Sequence, residues 1–295
     1  MEKIRVPAPA KINLSLAITG LRPDGYHELE MIMQTISLHD VIVIKKTPAE
    51  IIVDTSDASL ASDRGNLAYQ AAELMLTRFN IAGGVDIFID KKIPIAAGLA
   101  GGSTDAAAVL KGIDKLYELD LPDRELQEIA AEIGSDVPFC LRGGTALATG
   151  RGTDLKQLPD IEKQQLVIVC PSVKISTAEV YNDYDQLRSR KEFKEIPTSK
   201  LLEHIKSGEK IKWDEGWNNI LETITIHKCR EINEIKKILY KNGAKFCLMS
   251  GSGPAVYAVM ANKTISESMV NNWPRQSDVI FTVCTVRKDF LELWK

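Results

Sequence analysis

Apolar and polar residues alternate in several short runs of this 295-residue chain. In Ala10-Lys-Ile-Asn-Leu-Ser-Leu-Ala-Ile18, Ile12, Leu14, Leu16 and Ile18 point one way while Lys11, Asn13 and Ser15 point the other. The same reading predicts strands over 31–38, 40–45, 85–90, 165–170, 245–249, 255–260 and 279–286, and one more between the glycine turns of 142–152. Helical spacing takes over within 63–79, over 106–117 and 125–133, and over 218–226, 230–240 and 266–273. Ser176-Thr-Ala-Glu179 is a capping-box pattern that starts another helix. The polar stretch 155–163 contains Pro159 and lacks a clear period, so it reads as a boundary between 1–157 and 158–295. Beyond it, the order strand, helices, strand, strand, helix, strand predicts a split βαβ layout. The charged run from Leu187 to Gly216 reads as a solvated helical connection.

One loop carries chemistry. Pro94, Ile95, Ala96, Ala97, Gly98, Leu99, Ala100, Gly101, Gly102, Ser103 and Thr104 lie between the predicted strand 85–90 and the predicted helix 106–117. Ser103, Thr104 and Asp105 are expected to cap that helix. A helix start offers unpaired N–H groups and the positive end of a dipole, and small residues let a ligand approach the backbone. Phosphate is the anion that suits this geometry, and an ordinary tight turn is the plainer alternative. No lysine follows the last glycine, so the loop is not a Walker motif, and no Gly-x-Gly-x-x-Gly is present.

Composition narrows the partners. With 44% hydrophobic and 26% charged residues the chain is globular, and a net charge of −3 gives no electrostatic case for nucleic acid. The five cysteines, Cys140, Cys170, Cys229, Cys247 and Cys284, are too scattered to bind a metal. They fit reduced, buried thiols in a cytoplasmic protein. The first residues lack the apolar core of a signal peptide, and no apolar run is long enough to span a membrane.

Three further groups are candidates. The polar face of Lys11 and Asn13 either lines a cleft or is simply solvated. Pro23-Asp24-Gly25 is a turn that leaves Tyr26 and His27 at a loop exit. Asp136 lies between a predicted helix end at Gly134 and Pro138, where it either caps a turn or presents a carboxylate from a rigid corner.

Pro9-Ala-Lys-Ile-Asn-Leu14, the loop 94–106 and Ser250-Gly-Ser-Gly-Pro-Ala255 stand in one order, and together they resemble the GHMP kinases. Arg22-Pro-Asp-Gly-Tyr-His27, Gly134-Ser-Asp-Val-Pro-Phe139 and Gly143-Gly-Thr-Ala-Leu-Ala-Thr-Gly-Arg-Gly152 are similar to the members that phosphorylate a cytidine diphosphate-linked methylerythritol. The resemblance implies an α+β, two-domain GHMP kinase fold, an N-terminal mixed α/β domain followed by a ferredoxin-like domain. It implies ATP phosphates over residues 94–104, with Mg2+ held mainly by phosphate and water. It also implies catalytic roles for Lys11 and Asp136, cytidine recognition by Tyr26 and His27, and substrate contacts by Asn13 and Thr177. The expected product arises in non-mevalonate isoprenoid precursor synthesis, in a cytoplasmic monomer or homodimer. Ala96, Ala97 and Ala100 stand where many members carry glycine, so the loop is expected to suit L-residues there. Thr104 is expected to keep a hydroxyl toward a phosphate or magnesium.

Phosphoryl transfer needs positioning and charge stabilisation more than covalent help. In this reading Asp136 accepts the proton of an alcohol, and Lys11 bridges to that carboxylate and the transferring phosphoryl group. A kinase for homoserine, mevalonate or a sugar, and a nucleotide-binding module without turnover, are the alternatives.

Overall fold

The structure, a computed structural model, describes residues 2–189, 198–208, 211–213 and 217–290. Of the charged run 187–216 expected as a helical connection, residues 190–197, 209–210 and 214–216 lie outside the described residues. In its described part, helix α5 (Thr177–Ser189) ends and helix α6 (Ser199–Ser207) is formed.

Two sheets organise the chain. The first contains β1 (Lys3–Leu21), β2 (His27–Thr47), β3 (Ile51–Thr55), β4 (Gly84–Asp90), β5 (Thr145–Gly150) and β6 (Asp154–Gln157). Its axis is β2. One edge of β2 pairs with β1 from Lys3 to Leu21. Its other edge is shared, with β5 on Leu29–Gln34 and β4 on Val41–Thr47. Two separate strands were expected over 31–38 and 40–45, and the structure corrects this to one. The polar interruption at His39-Asp40 is not a turn, because β1 stays paired across it with a bulge between Pro9 and Lys11. Asp40 tolerates burial in mid-strand because it is fully bonded, as described below. The stretch 155–163 also opens with strand β6, whose short polar sequence hid it.

Helices α1 (Leu67–Arg78), α2 (Gly101–Leu116), α3 (Asp123–Ile133) and α4 (Val137–Arg142) follow the first strands. Asn66 caps α1 by accepting the Ala68 N–H at 2.9 Å. In α3, Leu126, Ile129 and Ala130 form the buried face, and Asp123 and Glu125 complement the dipole in its first turn. The six residues of α4 are too few to show a period, which is why the first half was read with one helix fewer. These helices cover the β1–β2–β4 sheet with a core that includes Ile42, Ile44, Ile87, Val109 and Ile113.

The second sheet has the order β10 (Val279–Cys284), β7 (Gln165–Cys170), β9 (Val256–Met260), β8 (Phe246–Met249), antiparallel throughout. With α7 (Ile220–Lys228), α8 (Glu231–Lys241) and α9 (Lys263–Asn271) this is the expected ferredoxin-like arrangement. The Ser176 hydroxyl accepts the Glu179 N–H at 3.4 Å, which is half of the expected capping box, while the Glu179 carboxylate meets Lys228 instead. Two apolar clusters are built from both sheets. Ile12, Leu14 and Ile32 pack with Leu166, Ile168 and Tyr257 in one, and Leu16, Met31 and Phe139 pack with Val167, Val169 and Ile224 in the other. The mouth of the seam between the sheets is therefore held by shared burial. Among the described residues, no helix is long and apolar enough to cross a membrane.

Candidate active site

A cleft of about 870 Å³ opens along this seam. Lys11, Asn13, Tyr26, His27, Ala96, Ala97, Gly98, Ala100, Gly101, Gly102, Ser103, Asp136 and Thr177 line it. Pro94, Ile95, Leu99 and Thr104 do not; Leu99 is buried in the core between the sheets and Ile95 faces outward.

Strand β1 delivers Lys11 and Asn13 from one face. The Lys11 Nζ donates to Asn13 Oδ1 at 2.8 Å and stands 3.4 Å from Asp136 Oδ2. Asp136 occupies the N-cap position of α4, yet its side chain accepts no capping bond. The carboxylate, 32% exposed, is left free to face Lys11. Pro138 lies in the first turn of α4, where its missing N–H costs nothing, so the corner is rigid. Beneath it, burial pushes the Cys140 thiol up and leaves it an unreactive core group.

The glycine loop departs from expectation in two ways. Helix α2 starts at Gly101, ahead of all three expected caps. Thr104 instead donates its hydroxyl to the Pro9 carbonyl at 2.8 Å and is buried, so it is turned away from the cleft. Asp105 joins an ion cluster. The N-cap is Ala100, in the left-handed conformation with φ 60° and no side-chain cap bond. The first-turn N–H groups of Gly101, Gly102 and Ser103 thus open on the cleft without a capping acceptor. Ala96 also has positive φ, 55°, so alanine is tolerated here in a strained conformation rather than a relaxed one. Gly98 has no such latitude, because a Cβ there would strike the Ser250 carbonyl. The two loops are bolted together: the Ser250 hydroxyl donates to Gly98 O at 2.9 Å, and Ala255 N donates to Ala97 O at 3.1 Å.

Replacing the exposed Ala96 by glycine should relieve roughly 1–2 kcal/mol of left-handed strain, offset by about 0.5–1 kcal/mol of added chain entropy. The expected result in urea denaturation is a small gain in stability; a clear loss would mean the methyl packs favourably.

An ion cluster fastens the loop at both ends. Lys91 Nζ lies 2.7 Å from Asp40 Oδ2 and 2.6 Å from Asp105 Oδ2, with all three side chains at most 3% exposed. Asp40 Oδ1 also accepts the Lys92 and Ile93 N–H groups, where the chain turns into the loop. Burial pushes the Asp105 carboxyl well up, opposed by Lys91 and reinforced by Asp40. Burial works against the Lys91 charge, but the two carboxylates outweigh it and raise the ammonium above its usual range.

At the far end of the cleft, the turn at Pro23–Gly25 forms as predicted and Tyr26 stands 53% exposed, with the Arg151 guanidinium 3.8 Å from its ring centre. The His27 ring stacks on Tyr181 at 4.8 Å, and its Nε2 lies 2.8 Å from Asp185 Oδ1. Thr177 shares a 2.8 Å hydrogen bond with Ser252.

The sequence has relatives of known name. One from Clostridium botulinum (strain Langeland), named 4-diphosphocytidyl-2-C-methyl-D-erythritol kinase, is 43% identical over 279 residues, 95% of this chain and 99% of the relative. The chain belongs to the 4-diphosphocytidyl-2-C-methyl-D-erythritol kinase family. The wider family matches as well, the GHMP kinases N terminal domain over residues 66–144 and the GHMP kinases C terminal domain over 210–278. A crystal structure of 4-(cytidine 5'-diphospho)-2C-methyl-D-erythritol kinase superposes with a TM-score of 0.81 and 31% identity, covering 96% of this chain and 99% of that one. The Methanococcus jannaschii mevalonate kinase, at TM-score 0.71 and 19% identity over 96% and 98% of the two chains, shares the fold. The protein is thus an ATP-dependent small-molecule kinase.

Sequence reasoning missed several residues that line this kinase's cleft, among them Arg151, Tyr181, Asp185 and Ser252. One signal was available. Thr177, Tyr181 and Asp185 recur at i, i+4 and i+8, which places them on one face of α5. Burial pushes the Tyr181 phenol up, reinforced by the Asp136 charge, so it serves the cleft as a neutral hydroxyl and a ring face.

Proposed function

We propose that this kinase transfers the γ-phosphoryl group of ATP to the 2-hydroxyl of 4-diphosphocytidyl-2-C-methyl-D-erythritol. The products are the 2-phosphate and ADP, and the reaction belongs to non-mevalonate isoprenoid precursor synthesis. The observation that carries the reading is the Lys11–Asp136 pair at 3.4 Å, facing the uncapped start of α2 in the cleft that His27 also lines.

The triphosphate lies against Gly98 to Ser103, where first-turn N–H groups and the helix dipole favour negative charge. Asp136 accepts the proton of the acceptor hydroxyl as its oxygen forms the new P–O bond and the bond to the ADP oxygen breaks. Lys11, held by Asn13, sets positive charge beside that carboxylate and the transferring oxygens. Magnesium, bound with ATP, would reduce the charge on the transferring group. Among the described residues, no three His, Cys, Asp or Glu are grouped to hold a metal. Of the oxygens that line the cleft, the Ser103 hydroxyl and the Asp136 carboxylate would face such an ion, with phosphate and water as its other ligands.

Tyr26 and His27 read the cytosine by stacking and hydrogen bonding, and binding energy gained there aligns the reacting hydroxyl. Two domains, 1–157 and 158–295, fit the change of sheet between β6 and β7.

An acceptor panel with Mg-ATP tests the reading. Phosphate should pass to the cytidyl methylerythritol in strong preference to homoserine, mevalonate and simple sugars. Better turnover of an acceptor without cytidine overturns it in favour of another GHMP kinase activity. ATP binding with no phosphorylated product from any acceptor points to a non-catalytic module.

A further inference from the structure

We propose that Asp185 is a positioning residue that fixes the tautomer and orientation of His27, and through it the discrimination between cytosine and uracil. The proposal rests on the cytidyl acceptor described above.

The His27 ring is held on three sides. It stacks on Tyr181 at an interplanar angle of 27°, and the Tyr184 ring meets it edge-on at 5.8 Å. The side chain is 11% exposed. Between such rings an imidazole keeps its plane, and its remaining freedom is a half-turn that exchanges one edge for the other. The contact of Nε2 with Asp185 Oδ1 at 2.8 Å selects the edge. The two residues are 158 positions apart, one opening β2 and the other on α5.

The choice of edge also chooses the proton. An ionised carboxylate only accepts hydrogen bonds, so Nε2 is the donor and carries the hydrogen. The neutral ring then holds its lone pair on Nδ1. No hydrogen bond from Nδ1 to a described protein group competes for it. An acceptor at that point suits the exocyclic amino group of cytosine, which donates. The same pose in uracil brings a carbonyl oxygen against the lone pair, and neither group can donate. A ring freed to turn, or to move its hydrogen to Nδ1, would lose this distinction. Asp185 itself is 49% exposed and caps no helix end, so its replacement is compatible with folding.

The test compares kcat/KM for the cytidyl acceptor with that for its uridyl counterpart. It uses the full-length wild type, Asp185→Leu and Asp185→Asn. Asp185→Leu removes the acceptor, and the cytidyl preference should fall about tenfold, chiefly through the acceptor KM, as for loss of one charge-assisted hydrogen bond. Asp185→Asn keeps an oxygen acceptor and should retain most of the preference. A purely structural role would lower activity with both acceptors alike and leave their ratio unmoved, which overturns the proposal. Nitrogen-15 NMR of the imidazoles, with His27→Gln to assign the signal, gives a second readout. It should show His27 of the wild type as the Nε2–H form, and finding the Nδ1–H form overturns the proposal. Equal use of both acceptors by the wild type overturns the cytidyl reading together with this one. A wild-type preference that survives in Asp185→Leu overturns the role of Asp185 alone.

Discussion

Asp136→Asn should lower turnover by about 10²–10⁴-fold, the usual worth of a positioned general base. Asparagine matches aspartate in shape, and Asp136 supports no helix cap, so the variant should fold as the wild type does. Lys11 keeps its bond to Asn13 and is not left unpartnered. ATP affinity should change little, because the proposed phosphate contacts come from the α2 start. Steady-state kinetics with saturating Mg-ATP, beside a thermal melt, check both parts. A variant with full turnover would remove Asp136 from the proton transfer and leave positioning by the loop and Lys11 as the source of rate.

The second large effect concerns stability. Lys91→Met should destabilise the fold by roughly 3–5 kcal/mol, the cost of leaving buried charge without its partner. Methionine fills much of the lysine stem, so lost packing contributes little. What remains is Asp40 and Asp105 facing each other without a cation, both inaccessible to water. Asp105→Asn should cost much less, since Lys91 and Asp40 still form a neutral pair. The asymmetry is the diagnostic, and equal losses in urea denaturation would contradict it. The pH response follows from the raised Asp105 value. The folded state binds that proton more tightly than the unfolded chain does. Its contribution to stability is complete below the unfolded carboxylate range and is lost as pH rises through the folded value. Because this cluster ties both ends of a loop that contains two left-handed alanines, local loosening should also weaken ATP binding.

Much of the fold could be read from pattern. Alternation located most strands, and helical spacing located α1, α3, α7 and α8 within a few residues. Where reading failed, a tertiary partner overrode a local signal. Two strands were expected, over 31–38 and 40–45, but β2 runs on through His39, and Asp40 stays buried in it because Lys91 and two N–H groups pair it. Ser103 to Asp105 looked like helix caps because such residues prefer that role. Instead Thr104 is engaged by Pro9 and Asp105 by Lys91, and Ala100 takes the N-cap position. The left-handed alanines were unexpected because propensity disfavours them, and the loop that holds them is tied to Ser250 and Ala255 and by the Lys91 cluster.

The sequence by itself determined the strand–loop–helix unit that suggests an anion site, the polar face carrying Lys11 and Asn13, the corner carrying Asp136, and a resemblance to a kinase family through those motifs. Periodicity assigns each residue a face, and a motif assigns it a chemistry. Neither assigns a partner. The tertiary structure alone decided that His27 meets Tyr181 and Asp185 and that Lys91 joins Asp40 to Asp105, and it brings Lys11 to Asp136, a meeting the family resemblance had led to expect. Each meeting joins segments far apart in the chain, brought together because buried charge must be paired and two apolar sheets must share their cores.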